Sequence, residues 1–515
     1  MTDSGSFPLE GILGVLHGST ERIEADLTRA LAAAERAPGR VGVEVRADLF
    51  PTPDEAIDLL GRLPSNLPAL FTLRLARQGG RFEGDETRRI EFLRKALEQG
   101  ARMVDVEWGS EAARALTADD APTVISHHSF DSMFDRSELE RLTEAISALR
   151  PRAIKLVPTA NLPEDGLRLL EWLDGTPADG PRRVGFAMGE MAQFSRVLSV
   201  AHGAPFTYGA IGRSVAPGQV SLEDLLELYR TPERTRATRT FGVVGRPIAH
   251  SLSPHMHNAA LGALHIDAIY LPFLLERFED VLPLVEPLGI DGLSVTIPFK
   301  EDARRFAAAD VDERSSHCGA TNTLLFPDRS GLGAQGFNTD FDGVLGPLKR
   351  RQIQLGGLSA AILGNGGAAR AAAMALVSEG ATVTLYYRNP ERGDPVAREL
   401  AVAGRPLAEL APGNHGLIIN ATSAGLHPGD SSPVTTAVFT PTTTAFDMIY
   451  EPRDTPFLAA ATAAGSECVP GREMLVSQGL VQFQLFTGRT ADYAVFEQGF
   501  DSGREGRTAG DTDGR

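Results

Sequence analysis

The sequence predicts an α/β protein with an N-terminal TIM-type (β/α)8 barrel, followed by a two-domain unit that contains a Rossmann-type nucleotide fold. Three observations predict this architecture. Short apolar runs alternate with amphipathic stretches over the first 230 residues, a glycine turn follows a later apolar run, and 515 residues exceed what one hydrophobic core supports. The apolar fraction of 42% and the charged fraction of 23% are typical of folded globular proteins.

Charge and cysteine content exclude several classes of protein. The formal net charge is −17, so we expect neither a nucleic-acid nor a membrane partner. Cys318 and Cys468 lie far apart without metal-binding spacing, which predicts no disulfide framework and no metal site. The N-terminus has no signal-peptide pattern, and we expect a soluble, cytoplasmic protein that acts on small molecules. The oligomeric state is left open.

Eight apolar runs are expected to be the barrel strands. They are GILGVL (11–16), VGVEV (41–45), ALFTLRL (69–75), RMVDVEW (102–108), PTVIS (122–126), AIKLV (153–157), RVGFAM (183–188) and PFTYGAI (205–211). Strands that alternate with helices at this spacing imply parallel βα units. Eight such units within about 230 residues favour a closed barrel over an open sheet.

Polar residues inside these runs predict where the barrel carries its site. In the second run, alternation with period 2 places the valines on one face and Glu44 and Arg46 on the other, which must point inwards. In such barrels the carboxyl ends of the strands form the active-site rim. Charged or polar residues recur at these ends: Arg74, Glu107, His128, Lys155, Arg196 and Gln219.

Composition divides the chain further. We expect the barrel in residues 1–230, a polar linker in 231–240 and a second domain in 241–346. A nucleotide-binding domain should follow in 347–500, with C-terminal helices that return to the second domain. Residues 501–515 hold no large apolar side chain and are expected to be a disordered tail.

The glycine turn is a variant of the dinucleotide-binding fingerprint. Gly364, Gly366 and Gly367 follow an apolar strand, and Ala369 replaces the third glycine at the start of an Ala-rich helix. The glycines let the backbone approach a pyrophosphate, and the helix N-terminus offers free N–H groups. A tight turn that binds nothing is the alternative.

Two arginines favour NADP over NAD. About 20 residues after the turn, where an NAD site places an acid, the chain has Arg388 and Arg392. A guanidinium binds a 2′-phosphate, which a carboxylate would repel. Surface arginines without a ligand are the alternative.

Motifs from Phe241 to about Phe500 resemble the shikimate dehydrogenases. They occur in the order of that family: 250–254 (HSLSP), 294–300 (SVTIPFK), 320–323 (ATNT), 336–340 (GFNTD), 420–423 (NATS), 447–450 (DMIY) and 471–475 (GREML) followed by Gln478. The resemblance implies NADP-linked reduction of 3-dehydroshikimate to shikimate, with Lys300 and Asp340 as the catalytic pair. Independently of it, hydride arriving at a ketone leaves an alkoxide, and a Lys ammonium near a carboxylate can supply the proton.

The same resemblance implies the binding residues. The substrate hydroxyls and carboxylate would be held by Ser251, Ser253, Thr296, Asn322, Tyr450 and Gln478. The cofactor would be held by Gly364, Gly366, Gly367, Ala368, Ala369, Arg388, Asn389, Arg392, Thr422, Met448 and Gly471. Ser251 and Ser253 can also cap a helix ahead of Pro254, and capping does not exclude substrate binding.

Lys155 is the candidate nucleophile of the barrel. It lies among aliphatic residues on a predicted strand, and burial of an ammonium lowers its pKa and frees the amine to attack a carbonyl. His128, at the end of the preceding strand, could move a proton from the carbon next to the imine. The alternative is a structural lysine paired with Glu44 or Glu107.

Residues 11 to about 230 resemble type I 3-dehydroquinate dehydratase. The shared motifs are 44–48 (EVRAD), 71–74 (FTLR), 126–130 (SHHSF), 154–156 (IKL), 195–196 (SR) and 216–219 (APGQ). The resemblance implies that Lys155 forms a Schiff base with 3-dehydroquinate and that His128, rather than His127, moves the proton. Glu44, Arg46, Arg74, Arg196 and Gln219 would position the substrate.

The chain departs from this pattern at Gln78, Ser129 and Val215, where the family usually has Glu, Asp and Ser or Thr. A carboxylate near the histidine would raise its basicity, so these changes bear on the efficiency of His128. The leading hypothesis is a fusion of two consecutive steps. The alternatives are a different Schiff-base lyase, such as an aldolase, or an inactive barrel that serves as a dock.

Overall fold

The computed structural model describes residues 7–212 and 218–512. Eight parallel strands form the N-terminal barrel, and each predicted apolar run contributes one of them. They are β1 (Gly11–Leu16), β2 (Val41–Arg46), β3 (Ala69–Thr72), β4 (Met103–Glu107), β5 (Thr123–Ser129), β6 (Ala153–Pro158), β7 (Arg182–Gly185) and β8 (Phe206–Ala210). The sheet order β7-β6-β5-β4-β3-β2-β1-β8 makes the barrel nearly closed, with β7 beside β8.

Helices between the strands cover the barrel. They are α1 (Thr20–Arg36), α2 (Pro53–Leu60), α3 (Glu86–Glu98), α4 (Glu111–Ala118), α5 (Arg136–Ser147), α6 (Pro163–Asp174) and α7 (Gln193–Leu198). Val41, Val43 and Val45 pack outwards against the helical layer, and Glu44 points inwards, as the alternation predicts. An inner apolar layer that includes Leu70, Met103 and Phe206 fills the barrel, so the charged residues lie above a packed floor.

The second domain is a mixed sheet with order β10-β9-β11-β12-β13. Its first three strands pair in parallel, and the last two pair antiparallel. The strands are β9 (Arg239–Gly245), β10 (Ala268–Leu274), β11 (Ile290–Val295), β12 (Thr323–Leu325) and β13 (Gln335–Phe337). The helices are α8 (Ser253–Ala263), α9 (Leu282–Val285), α10 (Lys300–Phe306), α11 (Glu313–Cys318) and α12 (Asp340–Arg350). Helix α12 spans the expected boundary at residue 346.

The third domain is a parallel sheet with order β16-β15-β14-β17-β18-β19, the doubly wound order of dinucleotide-binding folds. Its strands are β14 (Ser359–Leu363), β15 (Thr382–Tyr387), β16 (Ala403–Pro406), β17 (Leu417–Asn420), β18 (Thr444–Asp447) and β19 (Glu467–Val469). The helices are α13 (Gly367–Ser378), α14 (Pro390–Glu399), α15 (Pro456–Ala463), α16 (Gly471–Thr487) and α17 (Tyr493–Thr512).

The expected disordered tail is wrong over residues 501–512, because α17 continues to Thr512. Phe496 and Phe500 anchor this helix in the apolar core beside α8, and Gly503 is buried against the His255 ring. The return of the last helix to the second domain therefore supplies the burial that composition alone did not reveal. Residues 513–515 lie outside the described part of the chain.

The expected linker is more ordered than its polar composition indicates. Thr231–Glu233 form a 3₁₀ turn with Thr231 buried, and β9 already begins at Arg239. Across this segment, Phe194 of α7 packs on Phe273 of β10 with ring centroids 5.5 Å apart. The barrel and the second domain thus share an apolar contact. Within the described segments, none of the helices combines the length and hydrophobicity needed to traverse a bilayer.

Candidate active sites

Lys155 occupies the centre of the barrel site. It lies on the inner face of β6 and its side chain is 5% exposed. Its Nζ is 3.0 Å from Oδ2 of Asp105, 3.9 Å from Oε1 of Glu44, and 4.0 Å from the centroid of the Tyr208 ring. Burial lowers the pKa of Lys155, although the carboxylates of Asp105 and Glu44 oppose this shift. The neutral amine is therefore more accessible than in a solvated lysine.

Asp105 is the barrel residue that sequence reasoning missed. Besides Lys155, its carboxylate lies 3.1 Å from the Arg74 guanidinium and accepts a 2.6 Å hydrogen bond from Ser126. Burial alone would raise the pKa of Asp105, but Arg74 and Lys155 outweigh it and hold that pKa well below its usual range. Alternation in β4, which puts Met103, Asp105 and Glu107 on one face, was the signal available in the sequence.

Glu107 does not pair with Lys155, although it was one of the two carboxylates considered as partners of a purely structural lysine. Its carboxylate accepts from the Leu75 backbone N–H at 2.9 Å and pairs with the fully buried Arg89. Glu44 accepts a 2.8 Å hydrogen bond from Thr72. Lys155 therefore pairs closely with Asp105 and more distantly with Glu44, within a buried cluster of charged side chains.

His128 lies beside this cluster, whereas His127 does not. Arg74 donates from Nη1 to Nδ1 of His128 at 3.3 Å and to the Ser126 hydroxyl at 2.9 Å. The ring of His127 instead stacks on Phe134, with centroids 5.5 Å apart. Burial, together with the charges of Arg74 and Lys155, lowers the pKa of His128 well below its usual value. The imidazole is therefore neutral near pH 7 and able to accept a proton.

The substituted positions surround His128. Oε1 of Gln78 accepts a 3.4 Å hydrogen bond from the His128 backbone N–H, so Gln78 contacts the main chain rather than the ring. Ser129 pairs with the Ser132 hydroxyl at 3.4 Å on the exposed side. Val215 lies outside the described residues. Asp105 is the carboxylate whose charge favours protonation of His128.

Two arginines and a glutamine complete the rim. Arg196, on α7, is buried with its guanidinium 3.9 Å from the Phe186 ring, and burial lowers its pKa to about 10. Among the described residues its Nε has no hydrogen-bond partner, which leaves a buried cation suited to an anionic ligand. Arg46 is fixed by two 3.0 Å hydrogen bonds to Asp48, and Gln219 is half-buried beside the undescribed segment 213–217.

The second site contains the predicted Lys300–Asp340 pair. These residues begin α10 and α12, and Nζ of Lys300 lies 2.6 Å from Oδ2 of Asp340. Asn322 donates from Nδ2 to Oδ1 of Asp340 at 2.9 Å and to Oε1 of Gln478 at 3.2 Å. The two charged groups are thus oriented by an amide network and open to a cavity of about 320 Å³.

This cavity gathers all the predicted substrate residues of the second half. Its walls include Ser251, Ser253, Thr296, Lys300, Asn322, Asp340, Tyr450 and Gln478. The Ser253 backbone N–H donates to the Ser251 hydroxyl at 3.3 Å, but Leu252 is the N-cap of α8, so neither serine is its N-cap residue.

Sequence reasoning missed a buried hydrogen-bond chain behind the cavity. Tyr270 donates to the Ser294 hydroxyl at 2.7 Å, and Ser294 donates to Oε1 of Gln482 at 2.8 Å. Ser294 and Gln482 both line the cavity. Gln482 lies four residues after Gln478 on α16 and therefore on the same face of the helix, so this spacing could have indicated Gln482 as a cavity residue from the sequence.

The nucleotide end of the site begins at the glycine turn. Gly364 has φ +116°, a conformation that favours glycine, and α13 starts at Gly367. A Cβ added at Gly366 or Gly367 would meet no atom within 4 Å, so the helix N-terminus is open. Ala368 is exposed there, whereas Ala369 is buried against the sheet. This shape fits a dinucleotide pyrophosphate.

The remaining cofactor positions surround this turn. Arg388 and Arg392 are exposed and have no ion-pair partner among the described residues, while the Asn389 side chain caps α14. Thr422 donates to Asn420 at 2.7 Å, and Met448 lines the cavity. A Cβ on Gly471 would lie 2.4 Å from a backbone oxygen of residue 449, so α16 can approach that loop only with glycine. The free arginines fit a 2′-phosphate.

Fold and sites define an α/β enzyme with two candidate active sites, one around a buried amine in a barrel and the other in a cavity beside a dinucleotide-binding fold. The family models that match are type I 3-dehydroquinase at residues 23–236, the shikimate dehydrogenase substrate-binding domain at 243–324 and the shikimate 5′-dehydrogenase C-terminal domain at 471–498. The chain belongs to the bifunctional 3-dehydroquinate dehydratase/shikimate dehydrogenase family.

Individual relatives match most of the chain or its second half. The chain is 30% identical over 481 residues to the chloroplastic bifunctional enzyme of Arabidopsis thaliana, which covers 88% of this chain and 79% of that protein. It is 37% identical over 262 residues to the NADP⁺ shikimate dehydrogenase of Methanosarcina mazei, covering 48% of this chain and 93% of the relative. A Thermus thermophilus shikimate 5-dehydrogenase structure in complex with NADP(H) and shikimate matches at 35% identity and a TM-score of 0.47. The match covers 52% of this chain and 99% of that chain.

Proposed function

We propose that this chain catalyses two consecutive steps of the shikimate pathway. The barrel dehydrates 3-dehydroquinate to 3-dehydroshikimate, and the second half reduces that product to shikimate with NADPH. The observation that carries the proposal is the occurrence, in one chain, of a buried Lys155 in the same charged cluster as His128 and of the Lys300–Asp340 cavity. Unpaired Cys318 and Cys468 fit the reducing environment of a cytoplasm.

The barrel reaction begins at Lys155. Its amine attacks the ketone of 3-dehydroquinate, and loss of water leaves a protonated Schiff base that makes the adjacent C–H acidic. His128, which is neutral because of burial and neighbouring charges, takes that proton and then returns it to the departing hydroxyl. Asp105 holds Lys155 and Arg74 in place throughout. Hydrolysis of the imine releases 3-dehydroshikimate.

Substrate recognition in the barrel depends on charge. Arg196 is buried without an acidic partner among the described residues, so a substrate carboxylate restores a compensating charge. Arg46 and Glu44 lie on the same inner face of β2 and suit the hydroxyl groups. A barrel that retains this amine, this imidazole and a buried guanidinium without an acidic partner among the described residues favours a dehydratase over an inactive dock.

The second half moves a proton between charged side chains and substrate. NADPH, when bound at the glycine turn, supplies the hydride. Lys300 stabilises the developing alkoxide of the substrate and delivers a proton from Nζ, and Asp340 orients that ammonium at 2.6 Å. Ser251, Ser253 and Gln478 line the cavity and are positioned to hold the carboxylate and hydroxyls.

A coupled assay tests the whole proposal. The full-length chain is supplied with 3-dehydroquinate and NADPH, and the loss of cofactor absorbance is followed. We expect the wild-type chain to oxidise NADPH only when 3-dehydroquinate is present. A Lys155→Ala variant should no longer oxidise NADPH with 3-dehydroquinate but should still reduce added 3-dehydroshikimate. Oxidation that persists in Lys155→Ala without added 3-dehydroshikimate would contradict the assignment.

Trapping with borohydride separates the alternatives. Incubation with 3-dehydroquinate and borohydride should add the mass of the reduced substrate to the peptide that contains Lys155. An adduct that forms only with other carbonyl acids would favour an aldolase, and the absence of any adduct would favour a dock. The exposed Lys95 of the same barrel provides an internal control that should stay unlabelled.

A further inference from the structure

The ring of Tyr208 lies directly beneath the reactive nitrogen of the barrel. Nζ of Lys155 is 4.0 Å from the ring centroid, at the distance of a strong cation–π contact. Tyr208 is 4% exposed, so water does not screen this contact. Its hydroxyl has no hydrogen-bond partner among the described residues, so packing of the ring, rather than a hydrogen bond, sets its position.

Neighbouring aromatic rings fix the orientation of Tyr208. Phe186 and Phe206 both meet it edge to face, with centroids 5.7 and 5.6 Å away. The ring therefore presents its π face to Lys155 as a rigid surface. An aromatic face attracts a cation but cannot accept its proton, so it stabilises positive charge without acting as a base.

This property suits a lysine that must be an amine and a cation in turn. When the amine adds to a ketone, the C–N bond forms, the carbonyl oxygen leaves as water, and one proton taken up leaves a single positive charge on the iminium. A third carboxylate at this position would favour the ammonium more strongly and reduce the free amine. The ring attracts a cation more weakly than a carboxylate does, and it stabilises both the ammonium and the iminium form of Lys155.

We infer that the π face of Tyr208 is a catalytic element of the barrel that stabilises the cation on Lys155 as ammonium and as iminium. This inference rests on the proposed Schiff-base function. The charged or titratable groups that face Lys155 from the other elements stay unchanged in the test below: Glu44 on β2, Arg74 after β3, Asp105 on β4 and His128 on β5.

The test varies the charge of the ring face while nearly preserving its shape. Tyr208→Phe serves as the parent of a series in which mono-, di- and trifluorophenylalanine replace residue 208 in the full-length chain. Fluorine withdraws electrons from the face, so the cation–π attraction falls stepwise. At a pH where Lys155 is already the free amine, only the iminium loses stabilisation, and we expect the rate of borohydride trapping of 3-dehydroquinate on Lys155 to fall by about tenfold from the parent to the trifluoro variant.

A second readout does not depend on the substrate. Reductive methylation of Lys155 by formaldehyde and borohydride, measured by mass spectrometry across pH, follows the free amine. Because a less attractive face favours the ammonium less, the midpoint should move to lower pH by about one unit along the series. The same fluorinated residues at Phe206, which is equally buried on β8, should give no trend.

The outcomes separate the two proposals. Absence of trapping in the wild-type chain would refute the Schiff-base function, and the methylation midpoints would still decide the role of the ring. A flat fluorine series in both readouts, or an equal slope at residues 206 and 208, would overturn the inference. Wild-type fluorescence of Trp108 and Trp172, which both lie in the barrel, verifies in every variant that the barrel is folded.

Discussion

Replacement of Asp105 by Asn should destabilise the barrel more than any single surface change. The carboxylate is completely buried and lies 3.0 Å from Lys155 and 3.1 Å from Arg74. Asn has nearly the same volume and can still accept the hydrogen bond from Ser126, so the substitution removes charge without opening a cavity. Two buried cations then lose their shared counter-charge.

The magnitude follows from this geometry. Breaking a buried ion pair by removing one partner costs about 3–5 kcal/mol, because the remaining charge is left uncompensated. The matched control is Asp119→Asn, whose carboxylate pairs with Arg94 at 2.6 Å but is 52% exposed. An exposed pair contributes about 1 kcal/mol or less, so the two variants should differ severalfold in their effect.

Tryptophan fluorescence during urea unfolding provides the assay. The chain has two tryptophans, Trp108 and Trp172, and both belong to the barrel, so the signal reports this unit alone. Because the folded state holds the pKa of Asp105 below its usual value, the stabilisation by its charge is fully present above about pH 4. It is lost as the pH falls further, and the wild-type and Asp105→Asn curves should converge there.

Two results would refute this reasoning. One is a loss of unfolding free energy in Asp105→Asn no larger than that in Asp119→Asn. The other is a gap between wild type and Asp105→Asn that does not narrow as the pH is lowered to the limit at which the wild-type barrel stays folded. Either result would mean that Lys155 and Arg74 do not depend on this carboxylate.

Three further predictions concern the second half. Lys300→Met should lower kcat for shikimate oxidation by about 10²–10⁴-fold, with dehydration of 3-dehydroquinate unchanged; parallel assays of both reactions on one preparation check this. Arg388→Ala combined with Arg392→Ala should raise KM for NADP by roughly tenfold or more and barely alter KM for NAD, as initial rates with each cofactor would show. Gly366→Ala should keep the wild-type thermal unfolding midpoint but bind NADP more weakly, whereas Gly471→Ala should lower the midpoint because its Cβ would meet a backbone oxygen at 2.4 Å.

Local pattern was sufficient for the architecture. Each barrel strand was predictable because inward and outward residues alternate, and the turn from Gly364 into α13 because glycine spacing and an apolar strand are local features. Lys155, Lys300 and Asp340 were also identifiable, since their motifs are contiguous in the chain. The structure brings each of these side chains to its expected site.

The failures are all long-range. A polar composition predicts disorder for 501–512, yet α17 is helical because it packs on α8, a contact between residues far apart in sequence. The sequence indicates Glu44 or Glu107 as the partner of Lys155, and the structure does place Glu44 3.9 Å from Nζ, but the closest carboxylate, Asp105 at 3.0 Å, is missed although alternation places it on an inward face. Alternation places Glu44, Asp105 and Glu107 on inward faces, so the sequence does not distinguish them. The register of β4, β5 and β6 in the folded barrel decides which carboxylate lies closest to the amine of Lys155.

The sequence by itself therefore determined which residues are candidates for the chemistry and on which elements they stand, because periodicity and motif spacing are properties of neighbouring residues. The tertiary structure alone decided which charges meet. Lys155 contacts Asp105 and the Tyr208 ring because barrel closure brings β4, β6 and β8 around one axis. The pKa values of Lys155 and His128 depend on that enclosure, since burial and distance to other charges exist only in the folded chain.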